Sequence, residues 1–181
     1  MTRVGIMLAS AVATMCATFP AVFPMPIRLI WNASASAPLG LYRVAPREPL
    51  EIGDLVAVNP PETLAAFLAE RGYLPQGVPL LKRILAESGQ VVCRSGLAIT
   101  VDGVVAGVAL ERDRAGRALP VWQGCRRIAA GEVFLMNRRV RDSFDSRYFG
   151  LISTDRIIGG AIPLWTYGKG DGRFERRAPT R

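Results

Sequence analysis

The chain opens with an almost unbroken apolar run, Val4 to Phe19, and between Val4 and Trp31 the one charge is Arg28. A helix needs about 20 apolar residues to cross a bilayer, so this run reaches a full span by continuing past Pro20 or by snorkelling Arg28 to the interface. Pro20, Pro24 and Pro26 mark where such a helix ends or kinks. Residues 1–30 are therefore expected to form a membrane anchor with one transmembrane helix. A rival reading is a cleaved secretory signal, because Ala33-Ser34-Ala35 has the small-x-small pattern of a cleavage site, but the apolar run lies far upstream of it. Arg3 and the terminal amine favour an amino terminus in the cytoplasm, with Arg28 acting against them, and the following domain then faces outside.

From Gly40 onward the pattern turns to short alternating segments bounded by Gly, Pro, Asn and Asp, the signature of strands joined by turns. Strands are expected at Leu41–Val44 and Asp54–Val58, the latter closed by Asn59-Pro60-Pro61. Further strands are expected at Val78–Ala86, Gln90–Arg94, Ala98–Val101, Gly131–Asn137 and within Ile157–Trp165. Val101-Asp102-Gly103-Val104-Val105 reads as a hairpin with an Asp-Gly corner. One helix is expected over Thr63–Arg71, starting near Glu62 or Thr63 and ending before Gly72. Glu111–Leu119 is polar and reads as an exposed loop. Many strands and few helices predict an all-β domain over 31–167, followed by a basic, disordered tail over 168–181.

Composition narrows the function. The net charge is +8 and the pI near 10.2, yet the arginines are scattered and not interleaved with aromatics in any reader motif, so no nucleic-acid partner is expected. Of the 23 basic residues only Lys82 and Lys169 are lysines. Lys169 lies in a Gly-rich tail and reads as solvated. Three cysteines without Cys-x-x-Cys spacing, in a chain lacking histidine, argue against a zinc site. Cys93 and Cys125 form either a disulfide, if the domain lies in an oxidising compartment, or two buried thiols.

The chemistry concentrates in three stretches. In Asn32-Ala33-Ser34-Ala35-Ser36-Ala37-Pro38-Leu39-Gly40-Leu41-Tyr42 two hydroxyls alternate with alanines, and Pro38 and Gly40 fix and turn the backbone, so that Ser36 is presented on an extended strand end as the nucleophile. The absence of histidine excludes a Ser-His-Asp triad. A lysine replaces histidine as general base when burial lowers its pKa, and Lys82, between Leu80-Leu81 and Ile84-Leu85, has the apolar neighbours for it. On a strand Lys82 and Arg83 point to opposite faces, so one of them looks into a core or a site unless both decorate a half-exposed strand. The third stretch, Asp142-Ser143-Phe144-Asp145-Ser146-Arg147-Tyr148-Phe149-Gly150, read alone, is a turn whose short polar side chains bond their own backbone.

Taken in order, Ser36 in a Ser-x-Pro-x-Gly-x-Tyr frame, Lys82-Arg83 in an apolar run, and Ser143-x-Asp145-Ser146-Arg147-Tyr148-x-Gly150 resemble the boxes of type I signal peptidases of family S26. They resemble most the conjugative-transfer branch called TraF, over about Trp31 to Trp165. The resemblance implies a LexA-like, partly open β-barrel domain behind the membrane helix. It also implies a Ser-Lys endopeptidase of the bacterial inner membrane, periplasmic and in contact with lipid, that cleaves exported precursors after small residues and needs no cofactor or metal. By position, Ser36 is the nucleophile and Lys82 the base. Ser34 joins the Ser36 N–H in the oxyanion hole, Ser143 orients the lysine, and Asp145 belongs to the last box. A carboxylate touching Lys82 would protonate the base, so Asp145 is expected to pair with Arg147 or Arg83. Ala37 where leader peptidases carry methionine, Glu87-Ser88-Gly89-Gln90 in place of Pro-Gly-Asp, and Met136-Asn137-Arg138 in place of Gly-Asp-Asn separate the chain from housekeeping enzymes. They point to a pilin-like precursor, with cyclisation of the product as a further option. The alternatives are a general leader peptidase and an inactive membrane-anchored assembly subunit.

Overall fold

A computed structural model describes residues 2–22, 26–46, 49–167 and 174–176. In chain order the elements are α1 (Arg3–Val22), β1 (Leu29–Asn32), β2 (Leu39–Ala45), β3 (Leu55–Val58), α2 (Glu62–Glu70), β4 (Leu80–Ala86), β5 (Val91–Ser95), β6 (Ala98–Val101) and β7 (Val104–Val108). They continue with β8 (Gly124–Arg127), β9 (Glu132–Leu135), α3 (Ser146–Phe149), β10 (Ile152–Ser153), β11 (Ile157–Tyr167) and β12 (Phe174–Arg176). The main sheet runs β1-β2-β11-β3-β4-β9-β10, with β12 also on β11, and a separate ribbon runs β7-β6-β5-β8. All pairs are antiparallel, and register shifts at Pro163/Trp165, Ile157/Gly159 and Ile84/Ala86 bend the main sheet, which is an open, curled half-barrel. The architecture is mostly β, with α1 and α2 where helices are expected and the short α3 as the added element.

Alternation builds the core on both sides of the central strands. Leu80 and Ile84 on β4 join Val56, Val58, Leu135 and Leu68 of α2 in one cluster, whereas Leu81 joins Ile30, Tyr42, Val44 and Ala161 in another. A third cluster, with Val92, Ile99, Ile128, Phe134 and Met136, ties the ribbon to the main sheet. The Asp-Gly corner between β6 and β7 places Asp102 at φ 49° and Gly103 at φ 79°, the two positive φ values a tight hairpin turn requires.

Several expectations change. β1 and β8 are strands without a local signal, β1 being a short run after three prolines and β8 an exposed Gly-Cys-Arg-Arg segment with no apolar alternation. Glu111–Leu119 is the largely exposed loop expected, but it is anchored: Leu119 is buried, and the Asp113 carboxylate accepts from the Tyr73 hydroxyl at 2.5 Å and from Arg117 Nε at 2.7 Å, which fastens the segment to the chain just after α2. In the expected tail Phe174–Arg176 is a strand paired with Trp165–Tyr167, while Lys169 and the rest of 168–181 lie outside the described residues. Cys93 and Cys125 face each other across β5 and β8 and are bonded, so they form the disulfide rather than two buried thiols. Helix α1 exposes Val4, Ile6, Met7, Leu8, Val12 and Met15, but among the described residues no helix is long and apolar enough to cross a membrane.

Candidate active site

Ser36 sits in the turn that joins β1 to β2, rather than on an extended strand end. Asn32, buried at the end of β1, organises that turn. Its Nδ2 donates to the carbonyls of Ser34, Ala37 and Pro38 at 2.9, 3.0 and 3.1 Å, and its Oδ1 accepts from Ser34 N at 3.1 Å. The Tyr42 hydroxyl adds a bond to the Pro38 carbonyl at 2.7 Å. Gly40 is not part of the turn but lies inside β2 at φ 136°, where a Cβ would stand 2.2 Å from the Trp165 carbonyl oxygen. Only glycine lets β2 approach β11 this closely. The Ser-x-Pro-x-Gly-x-Tyr frame thus holds a loop by its carbonyls and seats its outgoing strand. Within the loop Ser34 Oγ and Ser36 Oγ are 2.8 Å apart, both half-buried.

Lys82 enters from β4, an interior strand between β3 and β9. It shares the face of Leu80 and Ile84 and is 2% exposed, while Arg83 on the opposite face is exposed, so the two adjacent cations divide as strand geometry requires. Lys82 Nζ donates to Ser143 Oγ at 2.9 Å. Burial pulls its pKa down from the ordinary 10.5 to about 8; the nearby Asp145 carboxylate pushes it up and the Arg147 guanidinium pushes it down again. Ser34, Ser36, Lys82 and Ser143 line one cavity of about 350 Å³, together with Leu68, Tyr73 and Leu80.

Asp145 pairs with Arg147 and not with Arg83. Its Oδ1 accepts from Arg147 Nε at 2.8 Å and its Oδ2 from Arg147 Nη2 at 2.9 Å, with both side chains buried. The remaining Arg147 protons go to the carbonyls of Val108, Val140, Arg141 and Ser143. Asp145 also caps α3 by accepting from Arg147 N. A buried ion pair with its other donors satisfied is a rigid unit, and here it fixes the backbone that carries Ser143.

Sequence reasoning treated Asn137 only as a departure from the leader-peptidase pattern, yet it bridges the two halves of the site. Its Nδ2 donates to the Ser36 carbonyl at 2.6 Å and to the Leu81 carbonyl at 3.2 Å, its Oδ1 accepts from Arg83 N at 2.9 Å, and its backbone N–H reaches Asp145 Oδ2 at 3.2 Å. One buried amide therefore sets the spacing between the Ser36 loop and the Lys82 strand. A polar residue directly after the apolar strand Glu132–Leu135 and Met136 was the available signal. Among the described residues no cluster of His, Cys, Asp or Glu has the makings of a metal site.

The chain is 39% identical over 148 residues to the conjugal transfer protein TraF of Agrobacterium fabrum, covering 75% of this chain and 81% of that one. It is 36% identical to a probable conjugal transfer protein TraF of Sinorhizobium fredii, covering 75% and 76%, and 32% identical to a plasmid transfer protein TraF of Escherichia coli, covering 75% and 82%. A crystal structure of a signal peptidase I from Enterococcus faecalis superposes at a TM-score of 0.37 with 17% identity, covering 64% of this chain and 98% of that one. The family model described as "Signal peptidase, peptidase S26" matches residues 1–165. By that match and by its TraF relatives, the chain belongs to the S26 signal peptidase family.

Proposed function

We propose that the protein is a membrane-anchored serine endopeptidase that cleaves exported precursor proteins with a Ser36–Lys82 dyad. The observation that carries the reading is Lys82 itself: a buried lysine, bonded to Ser143 Oγ and shifted to about 8, opens into the same cavity as Ser36 in a chain without histidine. A lysine near 8 is neutral in a useful fraction at neutral pH. Neutral Lys82 Nζ takes the Ser36 proton as Oγ bonds to the scissile carbonyl carbon. The Ser36 N–H and the Ser34 hydroxyl stabilise the oxyanion, in keeping with the closeness of the two serines. Collapse breaks the C–N bond while Lys82 returns the proton to the leaving amine, and an ester to Ser36 remains. Water, deprotonated by Lys82, then releases the acid. A second amine in place of water gives a peptide bond instead, which is how cyclisation of a product would arise. Ser143 orients the lysine, and Asp145 with Arg147 holds Ser143 in place.

The TraF relatives are conjugal or plasmid transfer proteins, so we place the substrate among conjugation precursors, with a pilin subunit as the preferred candidate. Residues 1–30 would anchor the chain in the bacterial inner membrane and leave the catalytic domain in the periplasm. The exposed apolar side chains of α1 support the anchor, and the Cys93–Cys125 bond suits an oxidising compartment. The test is precursor cleavage by purified, folded variants. Ser36→Ala and Lys82→Arg are expected to be inactive, the latter because guanidinium stays protonated. Ser34→Ala should lose on the order of a hundredfold in kcat. Near wild-type turnover by Lys82→Arg would overturn the dyad.

A further inference from the structure

Ser36 stands between two cavities of different electrostatic character. The first is the one it shares with Lys82. The second, about 1220 Å³, meets the first at Ala35, Ser36 and Val140 and extends to Arg83, Arg138 and Arg139. In the first cavity the arginines have acidic partners: Arg71 and Arg117 face Asp113, and Arg114 pairs with Asp142. The second has no carboxylate in its lining, and among the described residues Arg83, Arg138 and Arg139 form no ion pair. Arg83 donates to the Gly53 carbonyl at 2.6 Å and Arg138 to the Ala106 carbonyl at 3.1 Å. Those bonds hold two of the side chains while leaving their charge uncompensated and most of their five donors free. All three are exposed.

Three guanidinium groups without an ion-pair partner line a groove that reaches Ser36, and an occupant carrying a carboxylate supplies the partner they lack. We propose that this groove is the binding site for an acidic side chain of the precursor, placed on one flank of the scissile bond within three residues of it. The proposal rests on the peptidase reading above. A polypeptide is favoured over an anionic lipid headgroup because Ser36 lines this groove as well as the Lys82 cavity, so a chain crossing Ser36 reaches both.

The experiment uses the full chain in neutral detergent and synthetic peptides carrying Glu or Gln at each of the three positions on either side of the cleavage point. On one flank the Glu peptide should be cleaved with about three- to tenfold higher kcat/KM than its Gln partner, a preference that fades with added salt. Joint replacement Arg138→Gln and Arg139→Gln should bring the ratio to about one, and Arg138→Glu with Arg139→Glu should turn the preference to Lys. The same peptides are titrated by fluorescence anisotropy against the Ser36→Ala protein, which reads the groove without turnover. Equal binding and cleavage of Glu and Gln peptides on both flanks, or a ratio unchanged in the Arg138/Arg139 variants, would overturn the proposal. So would stimulation by anionic vesicles that the same variants abolish while the peptide ratio stays flat. Absence of cleavage with the binding preference intact would instead count against the peptidase reading alone.

Discussion

Replacing Lys82 with methionine should make the protein more stable and catalytically dead. The two side chains have similar length, so in Lys82→Met the thioether fills the space beneath Ser143 while the exchange removes an ammonium that is 2% exposed. A fall in pKa from 10.5 to about 8 means that below pH 8 the folded protein bears about 3 kcal/mol for keeping that lysine protonated, at 1.36 kcal/mol per unit. Loss of the Lys82–Ser143 hydrogen bond returns about 1 kcal/mol of that gain. The net expectation at pH 7 is a stabilisation of about 2 kcal/mol. Its origin shows in the pH dependence. Between pH 8 and 10.5 the unfolded wild-type chain binds more protons at Lys82 than the folded one, so wild-type stability from this group rises with pH across that window. The advantage of Lys82→Met should therefore shrink as pH climbs from 8, vanish near about pH 10, and turn into a small deficit by 10.5, where only the lost Ser143 hydrogen bond is left. Urea unfolding of both proteins, with the disulfide intact, at about pH 7, 9 and 10.5 measures it. A variant less stable than wild type at pH 7, or a stability difference that does not change with pH, would refute the claim that burial of a charged lysine is being relieved.

Three further outcomes follow from the site. Asn137→Ala removes the donor that ties Ser36 to Leu81 and leaves Arg83 N without its acceptor; kcat should fall at least about tenfold with KM little changed, and Asn137→Asp should not rescue it because a carboxylate cannot donate. Asp145→Asn leaves Arg147 buried without its counter-charge and should cost about 3–5 kcal/mol in chemical unfolding. Any residual activity in that variant should show its alkaline-rising limb at lower pH, because the Asp145 carboxylate pushes the Lys82 pKa up. Paired Cys93→Ser and Cys125→Ser opens a cross-link spanning 32 residues and should lower unfolding free energy by about 3–4 kcal/mol without changing the pH profile of cleavage.

Period-two alternation and turn residues sufficed to locate most strands of the domain, because a strand with one face buried writes its burial directly into its sequence. The same rule split Lys82 from Arg83 on sequence alone. It could not say which of the two was inside, since that depends on β3 and β9 flanking β4 and on a hydroxyl 61 residues away. Gly40 shows the same divide: its presence marked a special backbone position, but the reason is the Trp165 carbonyl on a strand far downstream in the chain. Asn137 and the Arg138/Arg139 groove were least legible. An amide that bonds three backbone groups from two distant segments, and guanidinium groups distinguished only by lacking acids nearby, have no local pattern. Local sequence determines what a segment is able to form, through steric preference and the period of its apolar residues. Which polar groups meet, and which charges stay unpaired, is decided by long-range packing, because burial and counter-charge belong to neighbours that only the folded chain supplies.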